Sequence, residues 1–236
     1  IAGMYVRQGE TGNSPASNFS VMRYLNNYGR ENNVGVMLTH RQDGDKEDLG
    51  IESQNNSTIT VDGLIRPKSI WSIRYLLSTS IDYEEGENGF AGSLFAGRSA
   101  NNSYMGWVTE VISPNYNPAM GFVRQKNVIR HNPGGYYIWR PKGLPWIRRF
   151  DPGAFFDFYH DADKPGQFQQ AEIYIFPIYL FFTDGSFFQY ALFPNWQNIN
   201  FDFSPLGIPI AQDDYYYMRH QVNFYTDRSA KFSLSG

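Results

Sequence analysis

The chain has 236 residues, no cysteine and a formal net charge of −3, with aromatic residues at 17 % and charged residues at only 18 %. These values exclude a disulfide framework and a thiolate metal site, and they leave no basic footprint for nucleic acid. No apolar run reaches the roughly 18 residues that a membrane-spanning helix requires, and the longest, residues 173–182, contains Pro177.

Period-2 alternation bounded by turn residues predicts a chain of strands. In order they cover residues 1–8, 18–26, 33–41, 57–66, 70–80, 89–98, 103–112, 128–140, 147–160, 168–182, 187–198, 213–226 and 230–236. Most lie near the roughly 9–11 residues with which a tilted strand crosses a bilayer. The links between them alternate in length. Residues 9–17, 42–56, 81–88, 113–127, 161–167 and 199–212 form the longer links. Each is followed by a shorter one: 27–32, 66–69, 99–102, 141–146, 183–186 and 227–229. A transmembrane β-barrel is built this way, with long loops at one rim and tight turns at the other. A soluble sandwich, with water at both ends, has no reason to sort its links.

Charge follows the same division. The longer links hold Asp43, Asp45, Glu47, Asp48, Asp82, Glu84, Glu85, Glu87, Asp161 and Asp163, and the shorter ones hold Arg30, Arg66, Lys68, Lys142 and Arg228. Arg124 and Lys126 break the trend. Along the strands, Trp71, Ile73, Tyr75 and Leu77 oppose Ser72, Arg74 and Ser78, and Met105, Trp107 and Val111 oppose Tyr104, Gly106 and Glu110. Phe188, Tyr190, Leu192 and Trp196 oppose Gln189 and Ala191. An apolar outer face and a small or polar inner face suit a lipid-facing wall. Residues 173–182 are apolar on both faces, which fits a packed lumen or a two-layer sandwich. The expected fold is therefore all-β, an antiparallel transmembrane β-barrel with about 13 strands seen here. The odd strand number and the absence of an initiator Met or leader-like segment at Ile1 predict a portion of a larger barrel or a processed chain. All of residues 1–236 then belong to one barrel domain.

Several segments also carry a family resemblance. Asn18-Phe19-Ser20-Val21-Met22-Arg23 precedes Asn33-Val34-Gly35-Val36-Met37-Leu38-Thr39-His40-Arg41. Further on stand Tyr116-Asn117-Pro118-Ala119-Met120-Gly121-Phe122-Val123-Arg124, Ile129-Arg130-His131 and Ile147-Arg148-Arg149-Phe150-Asp151-Pro152-Gly153. This order resembles an uncharacterised outer-membrane barrel family of Gram-negative bacteria, common in Bacteroidota, whose barrel usually follows a family-nine-type carbohydrate-binding domain. Ala119-Met120 departs from that pattern, which has an acidic-aliphatic pair there. The resemblance implies an outer-membrane location, with lipid and lipopolysaccharide as surroundings and other envelope proteins or glycans as partners. It implies no activity or catalytic residues, and it places any carbohydrate-binding domain upstream of Ile1.

Candidate sites follow from residue type and spacing. Asp43, Asp45, Glu47 and Asp48 resemble an oxygen-donor loop for Ca²⁺ or another divalent cation, without the full Asp-x-Asp-x-Asp-Gly pattern. A solvated acidic loop is the plainer reading. Asn117, Gly121, Phe122 and Arg124 mark a structured loop at a barrel mouth, with constriction or ligand contact as its functional reading. Trp71, Trp107, Trp139 and Trp196 are candidate membrane-interface anchors. Tyr136, Tyr137, Trp139 and Trp146 suit anchoring or stacking on sugar rings. Arg148 and Arg149 beside Asp151 suit a lumen or rim ion pair. No nucleophile elbow, His pair at metal spacing or other catalytic motif is present, and no cofactor is expected. The functional expectation is an outer-membrane barrel of transport, scaffolding or envelope-complex role. The alternatives are a carbohydrate-binding or carbohydrate-processing surface protein anchored by the barrel, and a soluble β-sandwich interaction domain.

Overall fold

A computed structural model of the chain describes residues 1–12, 14–45, 53–202, 204–227 and 229–236. Thirteen strands carry the fold: β1 (Ala2–Gln8), β2 (Ser17–Tyr28), β3 (Asn32–Asp43), β4 (Gln54–Ile65), β5 (Trp71–Asp82), β6 (Asn88–Ala100), β7 (Ser103–Ile112), β8 (Val128–Tyr137), β9 (Ile147–Phe150), β10 (Gly153–Asp161), β11 (Phe168–Phe182), β12 (Phe187–Ile199) and β13 (Asp213–Tyr225). They form an antiparallel sheet, and a 3-10 turn over Pro205–Gly207 adds one short helical piece. Strand neighbours follow chain order from β1 to β8 and then β10 to β13, while β9 pairs with β11. The described pairings end at β1 and β13, which do not pair with each other.

The strand total matches the expected one, but two members differ. The stretch 147–160 is interrupted at Asp151-Pro152, giving β9 and β10. Proline has no N–H for the ladder, and the Asp151 amide instead donates to the Tyr179 carbonyl at 2.9 Å. Residues 230–236 form no strand. They turn back on β13, with a bridge from Ser235 to Tyr225 and reciprocal bonds between Gly236 and Phe224.

The chain divides into two compact units. The first comprises residues 1–95, 109–129 and 162–164, and so holds β1 to β5, most of β6 and the end of β7. Its strands have one polar and one apolar face. Register pairs Thr39 with Thr58 and Thr58 with Ser80, so these side chains point the same way, and Thr60 and Ser78 join them one pair along. Asn56, Thr58, Thr60, Ser78 and Ser80 are all buried. On the other face lie Met22, Leu38, Ile59 and Leu77, each exposed, with Leu77 at 63 %. The usual rule for a soluble sheet is reversed here: hydroxyls are sheltered and aliphatics are bare.

Ion pairs sit on the sheltered face. The Arg23 guanidinium on β2 reaches across β3 to Asp62 on β4, with Nη2 at 2.7 Å from Oδ1 and Nη1 on the other oxygen. The bridge passes over Gly35, where an added Cβ would stand 2.8 Å from Arg23 Cζ. A glycine in the intervening strand is what lets the bidentate pair span it.

The second unit comprises residues 96–108, 130–161 and 165–236. Its central strand, β11, contains a bulge that reads out the doubly apolar stretch. Ile175 pairs with Leu192, but Ile178 pairs with Tyr190, so one extra residue lies between them at Pro177. A bulge is where a strand tolerates proline, and it changes the parity of every side chain beyond it. Ile173, Ile175, Ile178 and Leu180 therefore share the apolar face. Tyr174, Phe176, Tyr179 and Phe181 share the other, where Phe176 is buried and packs on Tyr174 at 4.8 Å and edge-on to Tyr179 at 5.6 Å.

The turn at 183–186 is held by Asp184, whose Oδ1 accepts from Ser186 Oγ at 2.5 Å and from the Ser186 amide at 2.9 Å. After β13, Asp227 Oδ1 takes the same two bonds from Ser229 at 2.7 and 2.8 Å. The Ser186 and Ser229 hydroxyls, followed by their amides, hold the two carboxyls below the usual aspartate range. A depressed pKa stabilises the folded turn above the unfolded value and loses that contribution as pH falls through the folded one. In an acid titration followed by NMR, the Ser186 and Ser229 amide resonances should shift with midpoints below that of an unperturbed aspartate. Ser186→Ala should move the Asp184 midpoint upward; an unchanged midpoint would show that the hydroxyl contributes nothing.

Candidate functional site

The first unit's polar face is covered by the segment after β7. Ser113 exchanges bonds with β6: its amide donates to the Phe90 carbonyl and its Oγ accepts from the Phe90 amide, both at 2.9 Å. The chain then lies flat across β4 and β5. The buried Tyr116 donates its hydroxyl to Ser78 Oγ at 2.8 Å, and Ser78 Oγ meets Thr60 Oγ1 at 2.9 Å. The Asn117 amide donates to Ser80 Oγ at 2.9 Å. Asn56 clamps the next stretch, donating to the Asn117 carbonyl at 2.9 Å and accepting from the Ala119 amide at 3.1 Å. The backbone groups of a loop thus find side-chain partners on the sheet, which is how irregular chain survives in a sheltered place.

Of the predicted mouth residues, Asn117 belongs to this docked run. Gly121 closes a turn by donating to the Pro118 carbonyl at 2.8 Å. Phe122 is 91 % exposed and Arg124 is exposed, so the structure separates them from Asn117's bonding. Tyr116, as buried as Ser113, is not among the candidate site residues of the sequence. Its partner Ser78 lies far away in sequence, and no local pattern announces it.

The acidic candidates divide. Asp43 ends β3 rather than sitting in a loop, is buried, and gives both oxygens to Arg41 at 3.0 and 2.6 Å. Asp45 is exposed, and Glu47 and Asp48 lie outside the described residues. Among the described residues no group of three His, Asp or Glu side chains is placed to hold a metal. Asp82 accepts from the Glu84 and Glu85 amides at 3.1 and 3.2 Å and so shapes its own turn. His40 meets Ser57 Oγ at 2.9 Å, and His220 meets the Tyr190 hydroxyl at 2.9 Å. The tryptophans Trp71, Trp107 and Trp139 are exposed, whereas Trp196 stacks on Phe168 at 4.9 Å.

The second unit's counterpart face is aromatic as well as polar. Arg130 grips Asp157 through Nε and Nη2 at 2.6 and 3.0 Å. A relay of amides crosses β12 and β13: Gln221 donates to Asn223 at 3.2 Å, Asn223 to Gln189 at 2.9 Å, and Gln189 to the Tyr174 hydroxyl. Where β9 breaks, Arg149 Nη2 meets Asp151 Oδ2 at 2.7 Å, and Asp151 is only 2 % exposed. The predicted Arg149–Asp151 pairing is therefore present, while Arg148 lies 5.7 Å from the Phe181 ring centre. Beside the pair, Tyr136, Phe155, Tyr174, Phe176 and Tyr179 line a cavity of about 240 Å³.

Compared with protein-family models, with curated proteins and with solved structures, the chain finds no match.

Proposed function

We propose that this chain forms wall of an outer-membrane β-barrel in a Gram-negative envelope, in a transport, scaffolding or envelope-complex role. The observation that carries the reading is the reversed burial in the first unit: Asn56, Thr58, Thr60, Ser78 and Ser80 are sheltered, while Met22, Leu38, Ile59 and Leu77 are bare. Water-facing sheets do not arrange themselves so, because bare aliphatic surface is unfavourable in water and neutral in hydrocarbon. A groove of about 670 Å³ on the apolar face, lined by Tyr5, Met22, Leu38 and Ile59 among others, suits lipid chains. The strand ends agree in part: within the first unit the long Gln8–Ser17, Asp43–Gln54 and Ile112–Val128 separations fall at one end of the strands and the Tyr28–Asn32 and Ile65–Trp71 separations at the other, while the Asp82–Asn88 link at the first end is as short as Ile65–Trp71. The polar face then lines a lumen partly filled by residues 113–119. Lipid and lipopolysaccharide are the immediate partners, with the exposed Asp45 available to divalent cations at the long-loop rim.

The test is detergent dependence. Refolded from denaturant, the chain should become monodisperse and β-rich only when micelles or lipid are supplied; a folded monomer in plain buffer would overturn the proposal. In intact cells trypsin should cut after Arg124 and Lys126 and spare Arg30 and Lys68, since the two pairs belong to opposite rims.

A further inference from the structure

The groove on the first unit's apolar face changes in character along the strands. Register arranges that face in rows running across β1 to β4. One row holds Gly3, Met22, Leu38 and Ile59, the next holds Tyr5, Ser20, His40 and Ser57, and the third holds Arg7, Asn18, Gln42 and Asn55. Polarity therefore rises in two steps, from aliphatic to mixed to fully polar, toward the strand ends that carry the long links after β1 and β3. A surface that passes from hydrocarbon into water is graded in this way. Tyr5 and Tyr83 are exposed and line the groove, and their half-apolar rings suit headgroup depth. The Tyr5 hydroxyl donates to Asn18 Oδ1 at 2.8 Å. The groove itself spans the step. Its apolar end is open because Gly3 carries no side chain beside Met22, and its polar end because Ser20 and Ser57 are small. Arg7 is the one full charge in the three rows, which contain no carboxylate, and it has no hydrogen-bond or ionic partner among the described residues. His40 gives Nδ1 to Ser57 Oγ at 2.9 Å, and its Nε2 has no partner among the described residues.

We propose, building on the lipid-facing wall above, that this groove holds one phosphate-bearing lipid. An acyl chain lies against Met22, Leu38 and Ile59, and the headgroup phosphate sits at the polar end between Arg7 and His40. Two strands separate these residues, and at ordinary strand spacing and rise their Cα atoms stand about 12 Å apart. A single phosphate between them therefore meets the long guanidinium arm and the imidazole together, in charge-assisted bonds. Charge and shape decide against the other occupants. A diacylglycerol has the same tails but leaves Arg7 without a counter-charge. A choline headgroup brings a second cation toward Arg7. A soluble phosphate compound leaves the aliphatic row bare. Size agrees, since about 670 Å³ falls within the roughly 300–1,000 Å³ of ordinary ligand pockets.

Native mass spectrometry of the full chain in dodecyl maltoside micelles tests this with phosphatidylglycerol, phosphatidylcholine and diacylglycerol that share the same acyl chains. One phosphatidylglycerol should be retained per chain, about fivefold in preference to either of the others, the weight of one basic side chain against an anionic headgroup. Arg7→Gln should abolish that preference. Because Arg7 makes no bond within the described fold, this variant keeps its structure and decides alone if others do not. His40→Gln should lower phosphatidylglycerol retention severalfold. Gly3→Trp should lower retention of all three lipids by filling the apolar end; a Cβ at Gly3 meets only the Val21 carbonyl, at 3.7 Å, an ordinary contact. Equal retention of phosphatidylglycerol and phosphatidylcholine, a preference that survives Arg7→Gln, or retention unchanged by Gly3→Trp would each overturn the site. The two failures are separable. A chain that folds only in micelles yet shows no preference loses this site and keeps its lipid-facing wall, whereas a chain that folds in plain buffer loses both.

Discussion

Leu77→Arg is expected to destabilise the chain by about 2–4 kcal/mol when unfolding is measured in micelles or lipid, the cost of a cation on the lipid face near mid-bilayer. Leu77 is midway along β5, directly opposite Val61 on β4, and is 63 % exposed in the bare chain. In water a side chain so exposed would accept arginine within about 0.5 kcal/mol, because nothing is packed or desolvated by the change. The two environments therefore predict different outcomes for the same substitution. Phe122→Arg is the internal control: Phe122 is 91 % exposed but lies in the link after β7, so arginine there should be neutral in either solvent. A neutral Leu77→Arg in micelles would remove the main support for a lipid-facing wall.

Gly89→Val should have a comparable effect by a different route. Gly89, the second residue of β6, lies beneath the docked segment, and a Cβ there would overlap the backbone N and Cα of Tyr116. Backbone cannot swing aside as a side-chain tip can, so the segment must lift. Overpacking of this kind costs about 1–3 kcal/mol, and the Tyr116 and Asn117 bonds to Ser78 and Ser80 are lost with it. The chain has no native cysteine, so Ser80→Cys gives a clean probe. Its thiol should resist alkylation in the parent and react rapidly once Gly89→Val is added. Tyr116→Phe, which removes one hydroxyl bond, should cost only about 1 kcal/mol and leave the thiol protected. Rapid alkylation in the parent would mean that the segment does not cover the face at all.

These two substitutions also mark what could be read from the residues alone. Alternation, which is local and repeats every second residue, puts Leu77 on an apolar face opposite Ser78. The strands around it follow for the same reason. The approach of Gly89 to Tyr116 joins distant positions and leaves no periodic trace in the sequence. The break at Asp151-Pro152 is equally illegible: the Asp151 amide bonds Tyr179 in another strand, and Pro152 alone permits an edge position as readily as an interruption. Of the candidate residues, Asn117 stands out by its Asn-Pro turn chemistry and Arg149 and Asp151 by their charges.

The irregularity at Pro177 makes the second unit sensitive to reading frame. Deleting Pro177 alone would leave residues 178–182 on their present faces, because it removes the surplus residue between the Ile175–Leu192 and Ile178–Tyr190 pairs. A one-residue insertion between 168 and 175, by contrast, would displace Tyr174 from Gln189 and Phe193 unless the irregularity migrated to absorb it. Length changes in this strand are therefore tolerated in pairs, and single ones only at the proline, where the hydrogen-bond pattern already carries a surplus residue.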